Sequence, residues 1–381
     1  MVRTSPSPAD RRLIDLAAQR GAEVSARHLE RWRSRPSPLL PSHRRDYPGR
    51  PTGGSSSMAD DRLVDLVVWL ARNRRPGTDR GHLALRAFGA GLPVPEETVQ
   101  DAFVRAARGV EDELRRGFGE LPEDGDLQEW VYDGADALAG SRQRRPTAVD
   151  RRIGAIDRQV QALVEPAAAE FAARFDPGAA EAESLDRNDR QFHAAVAAMA
   201  GPGELTPDTL ARYARGLVGN GMPQWTAHLL ETDPRDPLAA VAEAPKHQAP
   251  GLPAHSAANH LLSVARDAPL ERLHTAWTAA AQMPGWAENT CAAVESELAA
   301  GQPAKATERW AIDMVVPFDR LFLADALSDP DPAPGTQALT ALNLLFMTDA
   351  INTTLAITDD DGRETIRRLA PPFFLSLVTV E

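Results

Sequence analysis

Proline and glycine divide the second half of the chain into segments of helical length. From Asn188 onward, Ala-rich stretches with apolar residues three or four positions apart alternate with proline and glycine. Such apolar spacing lines one face of an α-helix, whereas proline and glycine tend to end helices. The sequence therefore predicts an all-α fold.

Two short helices joined by a tight turn are predicted near the N-terminus. The first has Asp10 in position to cap it. The second, Ala26–Arg33, follows Ser25, a favourable N-cap, and turns Leu29 and Trp32 inwards. Only residues 21–24 separate the two helices, which is the spacing of a helix-turn-helix unit.

The charge of the chain is distributed unevenly. Although the net charge is −12, residues 1–92 hold 17 arginines against nine aspartates and glutamates, and the rest of the chain has a balance of −20. A basic end on an acidic body is expected when that end meets a polyanion, although basic N-termini also arise by chance. Arginine greatly outnumbers lysine, and alanine is abundant, which suggests a GC-rich bacterial genome.

The middle and C-terminal regions predict further helices and two apolar surfaces. Thr147–Phe175 has apolar residues at coiled-coil spacing, interrupted by Pro166, where we expect a kink or a new helix. Pro371–Val380 is too apolar to be left in water, so we expect it to pack on the body or on a second subunit. We identify no sequence repeat. Later helices are predicted at Leu270–Ala281, Trp286–Ala299, Thr307–Phe322 and Thr336–Ile357.

Sequence signatures of common enzyme and cofactor sites are missing. The single cysteine, Cys291, excludes a disulfide within the chain and a Cys-based zinc or iron–sulfur site. No P-loop, dinucleotide-binding fingerprint, nucleophile elbow or metalloprotease helix occurs. We therefore expect no cofactor, no metal and no catalytic site.

The sequence also bears on the cellular compartment. Arg11 and Arg12 precede an amphipathic stretch rather than an apolar one, so we expect no signal peptide. The most apolar later run, Ala338–Ile357, contains Asp349 and other polar residues, which suits a buried helix better than a membrane span. These features predict a cytoplasmic protein that does not bind membranes.

The N-terminal motifs resemble the MerR-like winged helix-turn-helix family. The sequence Val-Ser-Ala-Arg-His-Leu-Glu-Arg-Trp at residues 24–32 is similar to the second-helix pattern of that family, and Leu-Leu-Pro at 39–41 is similar to the turn that follows. The basic residues 42–57 lie where the family has its wing, although they would also suit a solvated linker. The resemblance covers roughly residues 10–95, and it implies a DNA-binding winged helix-turn-helix with room for a small β-wing.

The predicted DNA contacts lie on the second helix and the wing. The outward face of this helix is basic, as in a helix that enters the major groove, where arginine can bind guanine through two hydrogen bonds. Ser25 at the helix N-terminus suits a phosphate. An alternative for Arg27 is a salt bridge with Glu23 or Glu30. The predicted set is Ser25, Arg27, His28, Arg31 and Arg33 on the helix and Arg44, Arg45 and Arg50 in the wing.

Three regions are predicted: the DNA-binding domain over residues 1–92, a helical connector over 93–145 and a large all-α body over 146–381. One small module contacts few bases, so we expect a homodimer on double-stranded DNA. Its seam would be Thr147–Phe175 or the apolar C-terminal segment, unless both fill the core of the monomer. The body would also hold a site for a small molecule or a protein partner. Four tryptophans either line such a pocket or pack helices: Trp225, Trp277, Trp286 and Trp310.

These features predict a non-enzymatic, sequence-specific regulator of transcription. One alternative is an all-α interaction protein whose basic N-terminal head docks on an acidic partner protein. Another is a DNA-binding protein of mobile elements, of the excision or packaging kind, because the same winged module serves there. A third is an enzyme with a carboxylate-bearing cavity in the helical body, for which Asp186, Asp189 and His193 are candidates.

Overall fold

The computed structural model describes residues 6–42, 61–75, 77–118, 148–175, 257–313, 318–357 and 370–378, together with positions 130, 134, 363, 364 and 367. Within these residues 78% of positions are helical and none lies in a strand, so the all-α class is confirmed for this part of the chain. The predicted wing and the candidate enzyme residues at 186, 189 and 193 lie outside it.

The helices with described boundaries are numbered in chain order. They are α1 (Pro8–Gln19), α2 (Ala26–Arg33), α3 (Asp61–Asn73), α4 (Arg80–Gly89), α5 (Glu96–Phe118), α6 (Ala148–Phe175), α7 (Ala257–Asp267), α8 (Leu270–Ala299), α9 (Lys305–Asp313), α10 (Phe318–Ser328), α11 (Pro334–Ile357) and α12 (Pro372–Leu375).

Helices α1 to α4 form the N-terminal part of the core. Helix α1 packs on α2 and α3, and α3 packs on α4. The apolar stripes face one another, since Leu13 and Leu29 are almost completely buried. Helix α1 begins after Ser7, whose hydroxyl oxygen accepts a hydrogen bond from the N–H of Asp10. The prediction that Asp10 caps α1 is therefore wrong, and its carboxylate instead pairs with Arg33.

Helix α8 is the long axis of the C-terminal part. Its 30 residues correspond to a length of about 45 Å. It packs on α4 and α11, and also on α6, α9, α10 and α12. Helix α5 packs on α4, α7 and α11, so the predicted connector region contributes a helix to the core. The buried apolar residues of all these helices form one continuous hydrophobic cluster.

An aromatic cluster joins the N-terminal helices to α8. Phe88 of α4 meets Phe103 of α5 and His274 of α8 edge-to-face, with ring centroids 6.0 and 5.2 Å apart. Trp277 of α8 meets Phe103 at 6.2 Å. The same indole lies so close to Gly89 that a Cβ atom there would come within 2.1 Å of its Nε1. The approach of α4 to α8 therefore depends on the absence of a side chain at position 89.

The apolar C-terminal segment packs on its own chain. Phe373 of α12 is 2% exposed and meets Trp286 of α8 and Phe322 of α10 edge-to-face. Phe374 and Val378 are buried as well. The sequence left two possibilities for this segment, packing on the body or on a second subunit. Its buried described residues pack on the body of the same chain.

The apolar face of α6 is also used within the chain. Ile156 and Val160 are buried, and Asp157 between them accepts a hydrogen bond from Nε1 of Trp310 on α9 at 2.9 Å. Leu163, one turn further along the predicted seam, is 51% exposed. Ile156 and Val160 of the predicted seam therefore lie in the monomer core, whereas Leu163 is left exposed.

One arginine of α6 binds two carboxylates of α8. Arg152 contacts Glu295 and Glu288 at 2.7 Å each, and its guanidinium donates two hydrogen bonds to each carboxylate. The bonds to Glu295 above all, and then those to Glu288, raise the pKa of Arg152. The same interaction lowers the pKa of Glu288. The network fixes the register of α6 along α8.

Two prolines lie inside long helices of the described part of the chain. Helix α8 runs through Pro284, so the prediction of two helices there is wrong. Burial of Met283 and Ala287 on both sides of the proline offsets the missing backbone hydrogen bond. Helix α6 likewise runs past Pro166 without starting anew. Within the single helix predicted at Thr307–Phe322, the structure describes α9 and α10, and residues 314–317 between them lie outside the described part of the chain.

The described tryptophans of the body pack between helices rather than lining a cleft, as the contacts of Trp277, Trp286 and Trp310 show. Trp225 lies outside the described residues. Cys291 is fully buried. Helix α11 is buried against α5, α7 and α8. None of the helices in the described part of the chain combines the length and apolarity needed to cross a bilayer.

A carboxylate from α8 caps the first turn of α9. Glu297 accepts hydrogen bonds from the N–H groups of Ala304, Ala306 and Thr307 at 2.8–3.0 Å, and from the hydroxyl of Thr307 at 2.7 Å. Such bonds favour the ionised carboxylate, as does the positive end of the helix dipole. They lower the pKa of Glu297 from 4.5 to about 2, with the N–H of Thr307 making the largest contribution.

The cap at Glu297 predicts a pH-dependent part of the stability. The unfolded chain binds the proton more readily, so this stabilisation is complete above pH 4.5 and is lost as the pH falls towards about 2. Glu297→Gln should be less stable than the wild type at neutral pH, and the difference should shrink in that window. Urea unfolding followed by circular dichroism measures it, with the exposed Glu308→Gln on α9 as control. A difference that stays constant down to the acid limit would contradict the cap.

The contact at Gly89 predicts opposite effects of the same substitution at two helical glycines. Gly89→Ala forces its Cβ into Trp277 and should destabilise the protein by about 1–3 kcal/mol. Gly109→Ala on the exposed face of α5 meets open space and should stabilise by about 0.4–1 kcal/mol. Chemical denaturation of the two variants tests the pair. Equal effects of the two substitutions would show that α4 and α8 do not meet as described.

Candidate nucleic-acid interface

Backbone geometry fixes the turn between α1 and α2. Gly21 has a φ of +74°, in the left-handed region that glycine reaches without strain. Its N–H donates to the carbonyl of Ala18, and that of Ala22 donates to Ala17, both at 2.9 Å. This pair of bonds closes the end of a helix. Val24, just after the turn, is buried, so the chain enters α2 in a defined direction.

The start of α2 and its inward side agree with the sequence prediction. The hydroxyl oxygen of Ser25 accepts the N–H of His28 at 3.3 Å, and the N–H of Ser25 donates to Nδ1 of His28 at 3.4 Å. The two residues therefore cap the helix reciprocally. Leu29 and Trp32 are its buried residues. Capping uses the oxygen of Ser25 as an acceptor, which leaves the hydroxyl proton able to donate to a phosphate.

The outward face of α2 is basic. Arg27 and Arg31 are exposed and lie four residues apart, on the same side of the helix. The ion pairs of the described residues include neither arginine, so the alternative in which Glu23 or Glu30 pairs with Arg27 is not seen there. Both guanidinium groups are therefore presented to solvent with their donors unused within the described part of the chain.

Arg33 lies in a different environment from the two exposed arginines. Its Nη1 donates to Oδ1 of Asp10 at 2.6 Å, and the two side chains are only 16% and 15% exposed. The pair ties the last turn of α2 to the first turn of α1. Although the sequence predicted Arg33 as a DNA contact, the structure gives it this structural role, and it is not among the proposed contacts.

Residues from α4 and α5 hold the chain at the C-terminal end of α2. The guanidinium of Arg80 donates to the carbonyl of Ser34 at 3.0 Å, to that of Arg31 at 3.1 Å and to the hydroxyl of Ser34 at 3.0 Å. Thr98 donates its hydroxyl to the carbonyl of Pro38 at 2.7 Å, and this bond is buried. Sequence reasoning missed both residues, because nothing in their local pattern indicates a partner 46 or 60 positions away.

Other arginines of the basic N-terminal region also connect helices. Arg20 pairs with Asp61 and Asp65 of α3, and Arg72 donates to the carbonyl of Arg20 at 2.8 Å. Part of the positive charge counted in the sequence is thus neutralised by internal pairs. The exposed arginines of α2 are therefore a better indication of a surface for a polyanion than the total positive charge of residues 1–92.

The predicted wing residues Arg44, Arg45 and Arg50 lie outside the described part of the chain. The turn that precedes them is described, and there Leu39 and Leu40 are buried. Their N–H groups donate to the carbonyl of Trp32 at 2.6 and 3.1 Å. The Leu-Leu pair therefore anchors the chain under α2.

The geometry of α1 and α2 recurs seventy residues later in α4 and α5. Gly91 has a φ of +71°, its N–H donates to Phe88, and that of Leu92 donates to Ala87. The buried positions correspond as well: Leu13, Ala17, Val24 and Leu29 match Leu83, Ala87, Val94 and Val99. This repeat was missed in the sequence, because few identical residues carry it and its signal is the spacing of glycine and buried positions.

The two helix pairs differ in the charge of their exposed faces. At the positions that correspond to Arg27 and Arg31 of α2, helix α5 has Glu97 and Asp101, which are also exposed. A polyanion would be repelled by the second pair and attracted by the first. Of the two, only α2 is suited to contact nucleic acid.

Within the described residues, no group of three or more His, Cys, Asp and Glu side chains is placed to hold a metal ion. No family model matches the chain. Comparisons with curated proteins and with solved structures likewise found no significant match.

The different environments of Arg33 and Arg31 predict different effects of truncation. Arg33→Ala should lower the stability by about 1–3 kcal/mol, because it leaves the carboxylate of Asp10 without its arginine in a partly buried position. Arg31→Ala, on the exposed face, should change the stability by less than about 0.5 kcal/mol. Urea unfolding of the two variants measures the difference. Equal stabilities would mean that Arg33 is as free as Arg31.

Proposed function

We propose that this chain is a sequence-specific regulator of transcription of the MerR-like winged helix-turn-helix type. It binds double-stranded DNA through α2, acts as a homodimer and catalyses no reaction. The observation that carries this proposal is the pair of exposed arginines, Arg27 and Arg31, on a helix whose inner face and both ends are held by the rest of the protein.

The support of α2 favours binding to a groove. Leu29 and Trp32 anchor its inner face, Ser25 caps its start, and Arg80 holds its end. Because the helix is already ordered, little conformational entropy is lost when it binds. An α-helix with its side chains has a diameter of about 10–12 Å, and the major groove of B-DNA is about 12 Å wide.

The contrast between the two helix pairs also supports the assignment. Both have the same turn and the same buried positions, yet exposed arginines occupy α2 where Glu97 and Asp101 occupy α5. Charges on exposed positions are not needed for the shared backbone geometry. Their opposite sign is accounted for if α2 meets DNA and α5 does not.

A homodimer is proposed because one module of this size contacts few bases. The described parts of α6 and of the C-terminal segment are mostly used within the monomer, through residues such as Ile156, Val160 and Phe373. The contact between subunits would then use the parts of these two segments that stay exposed, such as Leu163 of α6, or other surfaces of the chain. In this proposal the acidic body supplies that contact and a site for a small molecule or a protein partner.

The proposal predicts that two arginines account for much of the sequence-specific part of the DNA affinity. The purified protein should enrich a palindrome from fragmented genomic DNA at about physiological salt. Each lost bidentate contact removes about 1–3 kcal/mol, so Arg27→Ala combined with Arg31→Ala should weaken binding to that site by at least about 30-fold. Fluorescence anisotropy with a labelled duplex measures the loss.

A matched control removes the same charge elsewhere. Arg108→Ala combined with Arg158→Ala changes two exposed arginines, on α5 and α6, and should leave the affinity within about twofold. No enriched DNA, or equal enrichment by the Arg27 and Arg31 double variant, would contradict the proposal. Salt-sensitive capture of an acidic protein by the wild type, in place of DNA, would instead support the interaction-protein alternative.

A further inference from the structure

The exposed face of α2 carries hydrogen-bond donors from three side chains, Arg27, His28 and Arg31. Arg27 and Arg31 lie at its centre, and His28 lies beside them, half-buried. The ring of His28 stacks on Trp32, with centroids 5.8 Å apart and planes inclined by 24°. A histidine held in this way cannot turn away from the surface that carries the two arginines.

The capping bond determines which atom His28 presents. Its Nδ1 accepts the N–H of Ser25, so in the neutral imidazole the proton is on Nε2, which then acts as a donor. Arginine side chains are donors only. The face therefore offers three donor groups next to one another, and Glu30 of the same helix is an exposed acceptor.

Guanine is the base that matches such a face. In the major groove it shows two acceptors, N7 and O6, and an arginine can bind both at once. Adenine shows one acceptor beside a donor, and cytosine shows a donor, so both suit this face less well. The Glu30 carboxylate would be repelled by phosphates, which disfavours a position of α2 flat on the DNA backbone.

The distance between the two arginines sets the spacing of the guanines. Residues four apart in an α-helix are separated by about 6 Å along its axis. Successive bases of one strand are about 3.4 Å apart, so two such steps span about 7 Å. The two arginines are therefore matched to bases two steps apart.

We propose that α2 reads the sequence guanine–any base–guanine on one DNA strand, with Arg27 bound to one guanine and Arg31 to the other. This inference rests on the proposed function, because it names the DNA that the same helix would bind. Arg27 and Arg31 are then the residues that determine specificity, and Ser25 and His28 position the helix start.

Selection from random duplexes tests the inference. The full-length wild type and the single variants Arg27→Ala and Arg31→Ala are each incubated with a library of random double-stranded DNA, and the bound molecules are sequenced. The wild type should select two guanines separated by one position. Each alanine variant should lose the preference at one guanine, by about 5- to 150-fold, and keep it at the other.

Lysine variants separate base reading from simple charge. Arg27→Lys and Arg31→Lys keep the positive charge but cannot form two parallel hydrogen bonds. They should bind mixed-sequence DNA within about threefold of the wild type and still lose most of the preference at one guanine. Arg108→Ala serves as the control at an exposed site on α5 and should select the same sequence as the wild type.

The outcomes distinguish this inference from the proposed function. A selected sequence without the guanine pair, or alanine variants that weaken binding to all sequences equally, would overturn the inference while leaving DNA binding intact. Preferences that persist unchanged in both alanine variants would overturn it too. If the wild type binds no DNA in the library at any salt concentration, the proposed function fails, and the inference fails with it.

Discussion

The contact between Trp277 and Gly89 is the constraint on which the arrangement of the N-terminal helices depends. It brings the indole of α8 against the backbone of α4, at a distance that leaves no room for a side chain. Phe88 and Phe103 complete the contact from α4 and α5, and Gln337 of α11 donates to the carbonyl of Trp277 at 3.3 Å. Helices α4, α5 and α8 therefore meet at one aromatic side chain, and α11 binds the backbone of the same residue, as expected where interiors are closely packed.

The same contact reaches α2 through the two helices that it positions. Helix α4 begins with Arg80, and α5 carries Thr98 in its first turn; these residues bind the end of α2 and the chain that follows it. The direction in which Arg27 and Arg31 point is thus tied to the placement of α4 and α5. These two helices therefore connect the body to the C-terminal end of α2.

Sequence patterns identified most of the local structure around the candidate interface. The cap at Ser25, the inward pair Leu29 and Trp32 and the bounds of α2 were predicted, because local spacing and capping chemistry determine them. Tertiary contacts decided what the sequence could not. In the sequence, Arg33 looks like the exposed arginines Arg27 and Arg31. In the structure it is mostly buried, because it pairs with Asp10, 23 positions away.

The helices of the body show the same division between local and long-range causes. Pro284 locally favours a break in α8, but the burial of residues on both sides of it keeps the helix continuous. The dimer seam expected from the spacing in α6 was a reasonable interpretation of an apolar stripe. Such a stripe shows only that a face is covered, and in the described part of α6 the covering helices belong largely to the same chain.

The helix pairs α1–α2 and α4–α5 share the residues that their backbone geometry requires, but they differ in the charges on their exposed positions. Gly21 and Gly91, with the buried residues around them, supply the turn in both pairs. None of these residues distinguishes the basic helix α2 from the acidic start of α5. That difference lies in the exposed positions, where packing places no demand on charge and selection for binding can act alone. Arginines at 27 and 31, where the second pair has carboxylates, are therefore the feature of this fold that most directly indicates a polyanionic partner.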